Sequence, residues 1–296
     1  MTITHIHQIF YNEATRASLD PGFIAFDNLA NERSDWREFW PIRRYLLTEP
    51  LVEEEFYGFL SPKFREKTNL DSSDVYRFIA GCDARTEVVL FSPSIHASAY
   101  FLNVFLHGEA VHPGLLDVSQ RLLERAGLSV RLETLVSDSS NTVFATYLIA
   151  RPRFWRAWLA LNEPVFAIAE SGEDSLGAQL RAVTSYRSHV DVPMKVFVLE
   201  RMTSLLLAID PSFVTRVRNP FATPTRAYKL PLAIVSDALK IAYRTQGHRQ
   251  YLQVFRLLTG LRGFFNLQIR LGAFFGIAKM RPFIRALAVY WSRSER

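Results

Sequence analysis

The apolar positions of the chain fall into short runs that alternate with amphipathic segments. Short apolar runs bounded by turn residues are typical of buried strands. The clearest run is TEVVLF, and the pattern predicts strands at residues 3–11, 55–60, 86–91 and 142–150, with a further short apolar run at 23–29. Helical spacing predicts helices at residues 36–49, 63–68, 72–79, 97–106, 113–126 and 153–161, with a polar loop at 172–177. This alternation predicts an α/β fold in which helices flank a mostly parallel sheet.

The most apolar segment, residues 192–210, predicts a helix whose first turn would accommodate Pro193. Glu200 and Arg201 lie in its middle. Because neighbours on a helix point about 100° apart, the two side chains would not face each other, and each needs a partner if it is buried. Two interpretations stay open. Glu200 lies on a polar stripe while Arg201 pairs with a distant carboxylate, or Glu200 forms the floor of a cleft.

The net charge of +6 is unevenly distributed along the 296 residues. From residue 226 onward, 13 Lys and Arg accompany two acidic residues, which gives +11 against −5 for the remainder. A length of this order suits one large domain with an appendage. Residues 218–225, RNPFATPT, have the composition of a linker. We therefore predict a domain at residues 1–218 and a basic, helical extension at residues 219–296.

The extension predicts an anionic membrane surface as its partner. Lys240 and Arg244, like Arg281 and Arg285, are four residues apart, and Phe residues lie between these cations. Its uncharged runs fall far short of the ~20 residues of a spanning helix, so we expect helices that lie in the bilayer interface. The alternative is that its aromatic residues pack on the preceding domain. Since no known nucleic-acid module occurs, we expect no nucleic-acid partner.

The single cysteine, Cys82, allows no intrachain disulfide. No charged segment followed by an apolar one opens the chain, as it would in a signal peptide. Both features favour a reducing, cytoplasmic location, and with the basic extension we expect a peripheral protein on the inner face of the cytoplasmic membrane.

Polar residues cluster where the predicted strands end, and in an α/β sheet ligands bind beyond the carboxyl ends of the strands. Each Ser and Asn could equally make a turn or cap a helix, but their clustering predicts a binding site. The candidates at these ends are Asn12, Asn28, Ser61, Lys63, Ser92, Ser94, His96 and Arg151.

Several common catalytic motifs are missing from the chain. It contains no G-x-G-x-x-G, Walker A loop, G-x-S-x-G or C-x-x-C sequence, which removes the usual support for a dehydrogenase, an NTPase or a serine hydrolase. His96, Asn103, His107 and His112 are close in sequence. However, His107 and His112 are not spaced to share one helix face, and no carboxylate cluster completes a site. We therefore predict no metal site.

Four segments resemble a known family. IHQIFY at residues 6–11 is similar to the opening strand of GT-A-type bacterial glycosyltransferases. Residues 36–47 and the following FYGFLSPKF resemble capsule and exopolysaccharide glycosyltransferases, as does TYLIARPRFWRAWL at residues 146–159. The most specific segment is KVFVLERMTSLLL, which resembles the family's GFLSERL-like helix and places Glu200 and Arg201 on its Glu-Arg pair.

The resemblance implies a GT-A-like catalytic domain that moves a sugar from a nucleotide-activated donor to a glycan or lipid-linked acceptor. It implies Glu200 as the base, or as a carboxylate that binds sugar hydroxyls, and Arg201, Lys63 or Arg151 near the diphosphate. One departure matters. Many GT-A enzymes hold a divalent metal on Asp-x-Asp after a buried strand, but Ser92-Pro93-Ser94 occupies this place and no Asp-x-Asp occurs. We therefore expect either a metal-independent enzyme or a non-catalytic, membrane-associated protein with a degenerate domain.

Overall fold

The computed structural model describes residues 3–92, 95–172, 174–186, 190–222 and 230–260. The chain divides into two compact units, Met1–Pro224 and Thr225–Arg296. The predicted boundary after residue 218 lies six residues before this division. Within the described ranges, no helix is both long enough and apolar enough to cross a membrane.

The first unit contains a six-stranded mixed sheet and a separate two-stranded one. The strands are β1 (Thr4–Phe10), β2 (Ile24–Asp27), β3 (Phe56–Leu60), β4 (Val88–Leu90), β5 (Leu148–Ala150), β6 (Val183–Tyr186), β7 (Val190–Pro193) and β8 (Thr215–Val217). In the large sheet the order is β2-β1-β3-β5-β4-β8, while β6 and β7 form an antiparallel pair. Only β5 runs antiparallel to its neighbours in this large sheet of the described residues. The prediction of an α/β fold with a mostly parallel sheet is confirmed.

Helices connect the strands and cover both faces of the large sheet. They are α1 (Glu13–Ala17), α2 (Phe39–Thr48), α3 (Phe64–Thr68), α4 (Ser72–Ala80), α5 (Ile95–Ser98), α6 (Val104–Glu109), α7 (Leu115–Arg125), α8 (Pro152–Glu170), α9 (Ser175–Arg181) and α10 (Met194–Ile209). The second unit contains α11 (Leu230–Gln246). A 3-10 turn, Ser34–Trp36, precedes α2. A further helical stretch follows α11 at residues 249–260.

Both faces of the large sheet are buried, since successive side chains of a strand point to opposite sides. Val88 and Leu90 of β4 belong to the core that includes α8 and α10, whereas Val89 between them belongs to a second core with Phe64 of α3 and Val75 of α4. This two-sided burial explains why the strands read as continuous apolar runs.

The helix predicted at residues 192–210 is α10, which begins after Pro193 and ends at Ile209. The structure describes α10 throughout, and Glu200 is its only exposed residue. A helix that is apolar on nearly all sides belongs in the interior of a protein. Glu200 therefore interrupts the otherwise buried or half-buried surface of α10.

Three predicted elements differ from the structure. The strand predicted at residues 142–150 is confined to β5, because Val143 and Phe144 bond to side chains outside the sheet. The helix predicted at residues 97–106 is two short helices, since Asn103 caps α6 with its side-chain oxygen. The loop predicted at residues 172–177 is wrong from Ser175 onward, where Asp174 caps α9.

Candidate active site

Three side chains meet at the edge of the sheet where β3 and β4 end and the antiparallel β5 begins. The hydroxyls of Ser61 and Tyr147 lie 3.0 Å apart, and both residues are buried. The ammonium of Lys67, on α3, lies 5.7 Å from the centre of the Tyr147 ring. Burial raises the pKa of Tyr147, so its hydroxyl keeps its proton and can donate a hydrogen bond.

A cleft opens beside this edge, and we refer to it below as the cleft. It holds a water-accessible volume of about 50 Å³, enough for only a few water molecules. Its walls come from the turn before α2, the start of β5, and helices α8 and α10. The lining residues are Trp36, Arg37, Glu38, Phe39, Ala145, Thr146, Trp158, Val196, Leu199, Glu200 and Thr203.

Glu200 faces the cleft, and 44% of its side-chain surface is accessible there. Protein nevertheless surrounds the carboxyl group closely. Burial, the largest cause, raises the pKa of Glu200, and the charge of Glu38 raises it further. The charges of Arg201 and Lys67 lower it, yet the pKa remains above the usual value of a glutamate. A carboxyl group with this property can exchange a proton nearer to neutral pH.

Arg201 points away from the cleft and is buried. Its Nε donates to the backbone oxygen of Val104 at 3.0 Å, and its Nη1 donates to that of Phe197. A Cβ on Gly108 of α6 would collide with this guanidinium, so the helix approaches closely because residue 108 is a glycine. The Nη1 atom lies 3.8 Å from Oε2 of Glu200. Arg201 therefore holds α6 against α10, and its positive charge acts on Glu200 from the side opposite the cleft.

The prediction that Arg151 lies with the other candidates is wrong. Because β5 is antiparallel to β3 and β4, its carboxyl end lies at the opposite edge of the sheet. There the guanidinium of Arg151 donates to the backbone oxygens of Glu54, Ala84 and Thr86. Through these bonds Arg151 joins the loop before β3 to the loop before β4.

The structure gives three other candidates local roles. Asn12 caps α1 by accepting from the backbone N–H of Thr15 at 2.8 Å. Asn28 is buried, and its backbone N–H donates to Phe10 at 2.9 Å, which joins the ends of β1 and β2. Ser92 accepts from the backbone N–H of Phe144 at 2.7 Å. That bond holds the loop that enters β5 and so shapes the cleft.

Three candidates remain, namely Lys63, Ser94 and His96, and the structure describes the side chain of Lys63 alone among them. Lys63 is exposed at the start of α3, at the carboxyl edge of the sheet. Ser94 lies outside the described residues, and His96 lies in α5 with its side chain likewise outside the description.

Sequence reasoning missed Arg37, Glu38, Lys67 and Tyr147. Lys67 was the easiest to find, because it follows Lys63 by four residues and therefore shares its side of the chain. The other three gave no signal, since nothing in the sequence shows that the turn before α2 and the start of β5 meet α10.

Two non-glycine residues that line the cleft have a left-handed backbone. Arg37 has φ 50°, and Ala145 has φ 52°. Ala145 is held by its surroundings: the neighbouring Phe144 bonds to Ser92, and Val143 forms two bonds with Ser204 of α10. Unfavourable backbone conformations of this kind cluster at functional sites, which favours the cleft as the place where this protein acts.

A charged network fixes the turn that supplies Arg37 and Glu38. The ammonium of Lys195, buried in α10, pairs with Asp35 and lies 3.9 Å from the centre of the Trp36 ring. Arg33 bonds to Glu170 at 2.7 Å and to Asp35 at 3.0 Å, and the indole of Trp36 also donates to Glu170, at 3.1 Å. The turn is thereby tied to both α8 and α10.

A larger cavity, of about 830 Å³, lies at the other edge of the sheet, where β1 and β3 begin. Its walls include Glu54, Glu55 and Cys82. Burial raises the pKa of the Cys82 thiol, so this thiol is a poor nucleophile. The smaller cleft is the candidate active site, because ligands of such sheets bind at the carboxyl edge and the strained backbone lies there.

Among the described residues, no group of three His, Cys, Asp or Glu side chains is arranged to hold a metal ion. His107 and His112 lie near Arg201, and burial followed by the charge of Arg201 lowers the pKa of each, for His107 to about 4. Both imidazoles are therefore neutral at physiological pH.

No family model, curated protein or solved structure matches the chain. The fold and the site define its class in chemical terms alone. It is an α/β protein with a small cleft at the carboxyl edge of a mostly parallel sheet. The cleft is lined largely by apolar residues and presents the charged side chains of Arg37, Glu38 and Glu200.

Proposed function

We propose that this protein is a GT-A-like glycosyltransferase of bacterial cell-surface polysaccharide synthesis, and that it works without a divalent metal. Its donor is a nucleotide-activated sugar and its acceptor is a glycan or a lipid-linked saccharide. The observation that carries the proposal is the position of Glu200, the single exposed residue of α10, which faces the cleft with a raised pKa. The family resemblance of residues 195–207 supports the same residue.

Glu200 acts as the general base in this proposal. Its carboxylate accepts the proton of an acceptor hydroxyl, and the hydroxyl oxygen forms a bond to the anomeric carbon of the donor sugar. The bond between that carbon and the diphosphate oxygen breaks, and the nucleoside diphosphate leaves with the electron pair. A base whose pKa lies near the working pH is the most effective. Glu38, the second carboxylate of the cleft, can accept hydrogen bonds from sugar hydroxyls.

Fixed cations take over the electrostatic role of a metal ion. A departing diphosphate develops negative charge, which preorganised positive groups stabilise in a partly desolvated site. Lys63 and Lys67 lie on one side of the carboxyl edge of β3. The cleft is too small for a whole donor, so we infer that the acceptor hydroxyl and the anomeric carbon meet there while the nucleotide lies along the open edge.

Transfer that survives chelation is the expected result with purified full-length protein. The measurement follows release of nucleoside diphosphate from UDP-, GDP-, CMP- and TDP-sugars, with CMP release for the third donor, in EDTA and after addition of Mg²⁺ or Mn²⁺. We expect rates within about two-fold in all three conditions, since no divalent ion is needed where cations replace it. A strict requirement for Mn²⁺ or Mg²⁺ would contradict the metal-independent mechanism.

The second candidate is a non-catalytic, membrane-associated protein with a degenerate glycosyltransferase domain. The observation that favours it is an unusual burial pattern in α11. This helix buries Ser236, Asp237 and Lys240 while it exposes Ile234 and Ile241. An exposed apolar face on a basic unit suits the interface of an anionic bilayer. Membrane attachment on the cytoplasmic face is also compatible with an enzyme that acts on lipid-linked acceptors, so we include it in the proposed function.

Sedimentation with liposomes tests the membrane partner. We expect full-length protein to bind vesicles that contain phosphatidylglycerol at low salt and to be released at high salt, because salt screens exposed charges. Replacing Ile234 and Ile241 together with Glu should reduce binding about ten-fold or more, since apolar insertion is lost and repulsion is added. The matched control is Leu47→Glu, at an exposed leucine of α2. Equal binding by both variants would contradict the assignment to α11.

A further inference from the structure

The backbone of Arg37 adopts a conformation that only glycine adopts readily. Its φ is 50° and its ψ is −137°. A side chain at these angles is crowded by its own backbone, and a folded protein keeps such a residue only where its surroundings impose the conformation. Glycine would adopt these angles without strain, so the arginine at this position destabilises the fold locally.

The surroundings of Arg37 account for the strained geometry. The preceding turn is tied to α8 and α10 through Asp35, Lys195 and Glu170. The N–H of Arg37 donates to the backbone oxygen of Ser34 at 3.3 Å, and α2 begins two residues later. The chain is therefore fixed on both sides of Arg37, and the position of its side chain is fixed with it.

The guanidinium of Arg37 differs from those of the two nearest arginines that line the same turn and α2. Arg33 bonds to Asp35 and Glu170, and Arg43 makes a two-bond pair with Glu163 at 2.6 and 2.9 Å. Within the described residues, the Arg37 guanidinium has no hydrogen-bond or ion-pair partner, and the residue is exposed at the wall of the cleft. A strained backbone here presents an unpaired cation beside Glu38 and Glu200.

We propose that Arg37 is an anion-binding residue that holds the diphosphate group of the donor, together with Lys67. This inference rests on the proposed function and adds its phosphate subsite. A guanidinium binds two phosphate oxygens at once through parallel N–H bonds, whereas an ammonium acts as a point charge. Lys67 supplies a second cation at this edge, because its ammonium lies 5.7 Å from the centre of the Tyr147 ring and Tyr147 directly follows Thr146 of the cleft wall. The two cations thus bind the phosphate oxygens of the donor, and the carboxylates of Glu38 and Glu200 interact with the hydroxyls of the reacting sugars.

Titration calorimetry of the full-length protein with inorganic pyrophosphate tests the subsite without requiring turnover. Arg37→Gln removes the charge and should weaken binding by about ten- to a hundred-fold, the effect of losing a charge-assisted hydrogen bond. Arg37→Lys should retain part of the affinity. The control is Arg85→Gln, at an exposed arginine in the loop before β4, which should bind pyrophosphate like the wild type.

Arg37→Gly gives a combination of results that a purely structural arginine would not give. Because it relieves the backbone strain, it should raise Tm by roughly 2–4 °C, while it weakens pyrophosphate binding as much as Arg37→Gln. Asn69→Gly, at another residue with positive φ, should leave the affinity unchanged. Wild-type affinity in Arg37→Gly and Arg37→Gln would overturn the proposal, as would a wild-type protein that does not bind pyrophosphate.

The source of the diphosphate is distinguished by further titrations. Tighter binding of a nucleoside diphosphate (UDP, GDP or CDP) than of geranyl diphosphate supports a donor site, and the reverse order overturns that assignment. Failure of the proposed function has a different signature. Pyrophosphate binding that depends on Arg37, in a protein that transfers no sugar, would leave the anion site standing while the glycosyltransferase assignment falls.

Discussion

Replacing Glu200 with glutamine is expected to lower the rate of sugar transfer by about 10²–10⁴-fold, the usual contribution of a general base. Glutamine keeps the shape of the side chain but cannot accept the proton. Because residue 200 faces the cleft rather than the core, we expect the folded state to persist with little change in Tm. The measurement is turnover of the donor by wild type and variant at saturating concentrations, with Tm recorded for both.

The matched control is Glu38→Gln, which removes the other carboxylate of the same cleft. We expect it to raise KM more than it lowers kcat, because Glu38 binds hydroxyls and does not accept the proton. Turnover at the wild-type rate in Glu200→Gln would contradict the catalytic role. Unfolding of that variant would show instead that Glu200 serves the fold through its pairing with Arg201.

The pH dependence of kcat/KM is a second test of the role of Glu200. The pKa of Glu200 is raised, chiefly by burial, and a base is active only when it is deprotonated. The rising limb of kcat/KM should therefore lie above the value of about 4.3 that is typical of a free glutamate. A limb at or below that value would mean that a different group is titrated.

Replacing Arg201 with methionine should have the largest effect on stability of the changes considered, a loss of about 2–4 kcal/mol in the free energy of unfolding. The variant loses the two bonds that the charged guanidinium donates to the backbone oxygens of Val104 and Phe197, and with them the link between α6 and α10. Urea denaturation measures the difference. Arg131→Met, at an arginine whose side chain is 78% exposed, should change stability by less than about 0.5 kcal/mol.

Arg201→Met should also alter the chemistry of the cleft if Arg201 acts on Glu200 from behind. The positive charge of Arg201 lowers the pKa of Glu200, so its removal should shift the rising limb of kcat/KM to higher pH. The kcat/KM of the variant is measured at a temperature below its Tm, so that the folded protein is assayed. An unchanged limb would show that Arg201 is purely structural, and a loss of stability under about 1 kcal/mol, less than one hydrogen bond from a charged group contributes, would contradict its structural role as well.

The general plan of the fold could be predicted from the sequence because the buried apolar positions follow the spacing of the strand or helix that carries them. The run at residues 86–91 and the helical spacing of residues 192–210 both correspond to elements of the structure, β4 and α10. The edge of the sheet that carries Ser61 and Ser92 could also be predicted, since parallel strands end on the same side. Glu200 was found because a charge within an apolar helix requires an explanation.

The rest of the site depends on information that an apolar run does not carry. The direction of β5 is one example, because an apolar strand has the same sequence pattern whether it is parallel or antiparallel, and the sequence therefore predicts the wrong edge for Arg151. Arg37 is another, since its positive φ is imposed by the network around Asp35 and Lys195, contacts that join residues about 160 positions apart. Long-range packing of this kind assembles the cleft.

The central claim is that a nucleotide-activated sugar binds with its anomeric carbon in the cleft, and a thermal-shift screen against UDP-, GDP-, CMP- and TDP-sugars tests it most directly. The screen compares wild type with Thr146→Trp, which fills the cleft with a bulky ring. At a donor concentration near 100 times the wild-type Kd, we expect one donor to raise the Tm of the wild type by roughly 5–10 °C. The shift in Thr146→Trp should be clearly smaller, because the ring excludes the sugar from the cleft. The claim is contradicted if no donor shifts the wild type, or if a donor shifts both proteins equally.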